Sequence, residues 1–141
     1  MSKKIVLAVS LVFVLAFAGA ASAGKPSGPS SIAGPFLVTG SLTASAATAA
    51  ATSTPHYGDT VTFNVSSTAT NNPFVHVTCY QGGVLVMQGW SAFFPGGLGD
   101  GNFGLGSPVW QGGAAECTAD LTMYSNDRFK VLASTSFHVD A

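Results

Sequence analysis

From residue 55 onward the chain alternates between apolar and polar positions. Thr60 to Ser67 (TVTFNVSS) places Val61, Phe63 and Val65 on one side and Thr60, Thr62 and Asn64 on the other, the signature of a half-buried strand. Phe74 to Tyr80 repeats the pattern with Val75, Val77 and Cys79. Gly82-Gly83 then predicts a tight hairpin into Val84–Trp90, with Trp90 expected in the core. Gly112 to Tyr124 aligns Ala115, Cys117, Ala119, Leu121 and Met123 on a common face. Asn126-Asp127 turns the chain into Phe129–Val139, whose expected inward set is Phe129, Val131, Ala133, Thr135 and Phe137.

Ahead of this region the signal is weaker. Gly24 to Gly34 reads as a flexible Gly/Pro/Ser lead-in, and Phe36 to Leu42 as a possible first strand. Thr43 to Thr54 reads as an Ala/Thr/Ser connector without an apolar stripe. No stretch beyond residue 23 carries a helical period. Six or seven short strands over about 105 residues predict an all-β protein, an antiparallel immunoglobulin-like β-sandwich over residues 55–141. The alternative is a small β-barrel.

Composition narrows the setting. Met1 to Ala23 has Lys3 and Lys4, an uncharged apolar run from Ile5 to Ala20, and the small-x-small ending Ala21-Ser22-Ala23. That is the pattern of a secretory signal peptide cleaved before Gly24, after which no membrane span is expected. What remains has three basic side chains (Lys25, Arg128, Lys130) against six acidic ones (Asp59, Asp100, Glu116, Asp120, Asp127, Asp140). So few bases argue against a nucleic-acid partner, and so few charges of either sign repel other copies weakly. In an exported chain, Cys79 and Cys117 are expected to form one disulfide. A two-residue hairpin after Phe74–Tyr80 fits strands C and C′ of a sandwich. The disulfide then staples C to F within one sheet.

The segment GDTVTFNVSST (Gly58 to Thr68) resembles the early strands of bacterial immunoglobulin-like and fibronectin-type-III-like extracellular domains. GGAAECTADL with FKVLASTSFHV is similar to their closing hairpin. The resemblance implies an exported adhesion, binding or spacer module with no catalytic residues. Ala115 stands where antibody-type domains carry the tyrosine of the tyrosine corner.

Motifs for chemistry fail on context. With Cys79 opposite Cys117, His76 falls opposite Asp120, and the hairpin into Phe129 puts His138 near Glu116. Those pairs lie four residues apart along one strand, roughly 13 Å, so one ion cannot collect both. They read as cross-strand contacts, and no metal or cofactor is expected. Gly99 to Gly104 satisfies G-x-G-x-x-G without a βαβ unit, and Asp100-Gly101-Asn102 begins a calcium loop whose closing carboxylate position holds Gln111. Asn64-Val65-Ser66 is a glycosylation sequon in mid-strand.

Ser91 to Gly113 (SAFFPGGLGDGNFGLGSPVWQGG) stands apart: eight of its 23 residues are Gly, among Phe93, Phe94, Phe103 and Trp110. Gly-rich backbone admits close approach, and aromatics on such a loop stack on sugar rings or anchor in protein pockets. Phe93, Phe94, Gly96, Gly97, Asp100 and Phe103 are the expected contact residues, with Trp110 behind them. The competing expectation assigns Phe103, Leu105 and Trp110 to a short strand and the core. The leading functional expectation is an exported, non-catalytic module that binds an extracellular glycan or protein. A self-assembling subunit of a filament or surface layer comes second, and a secreted enzyme third.

Overall fold

The computed structural model describes residues 29–38 and 53–141. The segment read as a signal peptide and most of the Ala/Thr/Ser connector lie outside the described residues. Seven strands appear in chain order: β1 (Ser30–Leu37), β2 (Thr60–Ser67), β3 (Phe74–Gln81), β4 (Val84–Ala92), β5 (Asn102–Gly104), β6 (Ala115–Ser125) and β7 (Arg128–Val139). Among the described residues there is no helix. The strands form two antiparallel sheets, ordered β1-β2-β5 and β4-β3-β6-β7, and neither closes into a barrel. An isolated parallel bridge from His56 to Asp140 ties the start of the second described segment to the end of β7.

The inward positions of both sheets meet in one core. Val61 and Phe63 come from β2, Val75 and Val77 from β3, Ala119 and Leu121 from β6, and all are buried. Cys79 and Cys117 face each other in the β3–β6 register and form the disulfide within that sheet, as expected. Phe103 of β5, Leu105 and Trp110 fill the space between the sheets. Trp110 is fully buried, its indole Nε1–H donating to the Gly113 carbonyl at 3.1 Å.

Both tight hairpins form on residues with positive φ. Gly82 and Gly83 have φ of 54° and 84°, and Asn126 and Asp127 have 52° and 59°. That geometry matches the right-handed twist of the strands each turn joins.

Three sequence expectations shift. The first strand starts at Ser30, inside the segment read as a flexible lead-in, because Ser30 to Ala33 pair in register with Ser67 to Asn64 of β2. Ile32 packs on the core there. Second, the inward set of the last strand holds for Ala133, Thr135 and Phe137 and fails for Phe129 and Val131, which are exposed. A β-bulge opposite Leu121/Thr122 inserts Leu132 as the extra residue, and Leu132 takes the buried position instead. Third, Trp90 is 45% exposed and not in the core. Val77 pairs with Gly89 and His76 with Trp90, so Gly89 faces inward and Trp90 outward. A Cβ on Gly89 would lie 3.3 Å from the Phe103 ring, which uses that space.

Candidate binding face

The outer face of the β4-β3-β6-β7 sheet is built in rows that cross all four strands. At one end Tyr80, Glu116 and His138 align. His138 Nδ1 lies 2.6 Å from Glu116 Oε1 and Nε2 lies 3.3 Å from Asp140 Oδ1, so one imidazole bridges two carboxylates. The expected Glu116–His138 contact is therefore present. No group of three or more His, Cys, Asp or Glu side chains among the described residues is arranged to hold a metal ion.

The next row carries Gln88, Thr78, Thr118 and Ser136, a band of amide and hydroxyl groups. Two residues further along, about 7 Å at strand rise, come Trp90, His76, Asp120 and Ser134. The register of His76 with Asp120 is the expected one, but the Asp120 carboxylate is engaged by the Ser134 hydroxyl, which donates to Oδ1. His76 turns instead to Trp90, with ring centroids 4.0 Å apart and planes within 12°.

Beyond that row the face is aromatic. Phe129 lies 4.5 Å from Trp90, 5.1 Å from Tyr124 and 5.7 Å from Phe74, centroid to centroid. Phe74 also meets Phe94 edge-on at 5.3 Å. Tyr124 is 57% exposed and Phe129 46%. Thr70, Asn72, Phe74, Phe94, Tyr124 and Phe129 line a shallow open groove of about 480 Å³ at this end. Because inward positions already fill the core, these rings are not needed to close it. The bulge at Leu132 is what turns Phe129 and Val131 to the outside.

The Gly-rich segment is held differently. Phe103 is 3% exposed and Trp110 fully buried, so neither ring can reach a partner, and Phe93 is half-buried against the core with its ring over Phe103. Phe94 alone among the expected aromatic contacts joins the outer face. The Ala92 N–H donates to the Leu98 carbonyl at 2.8 Å, the Gly101 N–H to Ser91 Oγ at 2.9 Å, and Thr62 Oγ1–H to the Gly101 carbonyl at 2.7 Å. These bonds fasten the loop to both sheets. Gly97 and Gly99 sit where a Cβ would lie 2.3 Å from Ala92 Cβ and from Ser91 Oγ respectively, so their role is close packing. Gly96 is open to solvent. Asp100 accepts the Asn102 N–H at 2.9 Å, which holds its carboxyl below the usual range and shapes the turn into β5.

Sequence periodicity alone hides the aromatic face. Its members come from four strands and a loop, and two of those strands carry bulges that reverse the alternation. Comparison with family models, with curated proteins and with solved structures finds no match to this chain.

Proposed function

We propose that this protein is an exported, non-catalytic binding module that takes a glycan on the outer face of its four-stranded sheet. The observation that carries this reading is the cluster in which Phe129 meets the exposed Trp90 and Tyr124 and the half-buried Phe74, beside a row of hydroxyl and amide groups. A pyranose ring is amphipathic: its C–H face stacks on an aromatic ring while its hydroxyls seek hydrogen bonds at the edge. Gln88, Thr78, Asp120 and Ser134 stand at that edge. The single disulfide and the signal-like N-terminus support export. The strand order is compatible with the likeness to immunoglobulin-like extracellular domains.

The reading is tested by retention on neutral polysaccharides (cellulose, chitin, starch and xylan) for the wild type and Trp90→Ala. Retention of the wild type and a loss of about 2 kcal/mol in Trp90→Ala, roughly thirty-fold in affinity, is the expected result. Retention unchanged by Trp90→Ala defeats the assignment of this face.

One observation favours self-assembly as the second reading. β4 is an outer strand of its sheet, with Val84 65% and Leu85 41% exposed, and an apolar open edge is a template for strand pairing between copies.

A further inference from the structure

Within the binding face sits an imidazole with one nitrogen shut in. His76 Nε2 is buried and has no hydrogen-bond partner. The ring lies parallel to Trp90 at 4.0 Å, so the indole rests on it. A neutral imidazole accepts this arrangement with its proton on Nδ1 and a bare lone pair on Nε2. A protonated one carries N–H on both nitrogens, and the Nε2 hydrogen then finds no acceptor where it stands.

The charged groups around it leave one route out. β4, the strand bearing Trp90, has no ionisable side chain. On β6 the register partner is Asp120, with Glu116 four residues further on. On β7 the row holds Ser134, while Arg128 and Lys130 lie toward the hairpin and His138 lies two rows away. Asp120 is therefore the only anion in the His76 row; its Oδ1 accepts from the Ser134 hydroxyl, and a carboxylate can accept further bonds.

We propose that His76 is a pH sensor built into the binding face: its protonation draws the imidazole out of the Trp90 stack toward Asp120 and releases the indole from its ligand-ready position. This rests on the reading of the face as a glycan platform. Above the transition the stack holds Trp90 against the sheet, and below it Trp90 is lost from the aromatic cluster on the side that meets the hydroxyl row. Burial disfavours the charged imidazole more than Asp120 favours it, so the transition lies on the acid side of pH 6.5.

The test is an NMR titration of the purified protein from pH 8 to pH 4.5, without ligand. It follows the His76 ring and the two indole Nε1–H resonances. Trp110, hydrogen-bonded to Gly113 in the core, is the internal control. The Trp90 indole is expected to move with the midpoint of His76 while Trp110 stays still, and His76→Gln is expected to abolish the Trp90 movement. Should His76→Gln fail to fold, Asp120→Asn is expected to carry both midpoints together to lower pH. A Trp90 resonance that stays fixed while His76 titrates, or that moves equally in His76→Gln, overturns the sensor. The same samples are then applied to the polysaccharide panel, where affinity is expected to fall about tenfold through the transition. Affinity that stays constant through the transition in a protein that does bind the panel overturns the regulatory role. Co-titration of Trp90 in a protein that binds no polysaccharide at any pH overturns the glycan reading and leaves the sensor standing.

Discussion

Two tryptophans define the residue scale, one for the core and one for the surface. Trp110 is fully buried and edge-on to Tyr57 at 5.3 Å, so Trp110→Ala is expected to cost about 3–5 kcal/mol in denaturant unfolding. Trp90→Ala is expected to cost less, about 1–2 kcal/mol by the same measurement, because Trp90 is 45% exposed where Trp110 is fully buried. Gly99 has φ of +95° and no room beside Ser91, and that serine holds the Gly101 N–H. Gly99→Ala is accordingly expected to destabilise by about 2 kcal/mol, read as a lower melting temperature. His76 adds a pH term. An N–H buried without an acceptor costs about 1–3 kcal/mol, more than the roughly 0.5–1 kcal/mol a cation gains over an exposed indole face. Burial therefore lowers the folded pKa below the unfolded 6.5, and below pH 6.5 the unfolded chain binds the proton more readily. Unfolding free energy is expected to fall as pH drops through that interval and to level off once folded His76 is charged. His76→Gln is expected to flatten this part of the stability profile.

At the scale of elements, alternation and turn chemistry located β2, β3, β6 and both tight hairpins, since each depends on neighbours in the chain. Placing Cys79 opposite Cys117 set His76 against Asp120, and the Asn126-Asp127 hairpin set Glu116 near His138. What alternation missed lies at the bulges. Leu132 in β7 and Val86 in β4 each add one residue against the partner strand, and a single added residue reverses which side chains face out. Phe129 and Val131 went to the surface for that reason, and the candidate site went with them. β1 was misplaced because a Gly- and Ser-rich segment has little local signal, and its position is set by pairing with β2. The disulfide joins neighbouring strands but closes a chain separation of 38 residues. Replacing both cysteines by alanine is expected to cost about 3–4 kcal/mol, measured by calorimetry of the two proteins under identical conditions.

Over the whole molecule, polarity is distributed along one sheet face: a histidine between carboxylates at one end, hydroxyls and amides in the middle, aromatic rings at the other. The opposite sheet, β1-β2-β5, presents no comparable cluster among the described residues. A glycan module needs only this one face and works as a single chain, so light scattering over a concentration series is expected to give a constant single-chain mass. Growth in mass with concentration, removed by Val84→Lys at the β4 edge, would instead make assembly the leading function. The central claim is that ligand meets the outer aromatic face and not the Gly-rich loop. The most direct test is affinity for the polysaccharide panel in three proteins: wild type, Phe129→Ala and Leu98→Ala, the last altering a large apolar side chain of the loop that is 88% exposed. The account predicts at least about tenfold weaker binding for Phe129→Ala and wild-type binding for Leu98→Ala. Loss in Leu98→Ala with full binding in Phe129→Ala would contradict it and return the site to the loop.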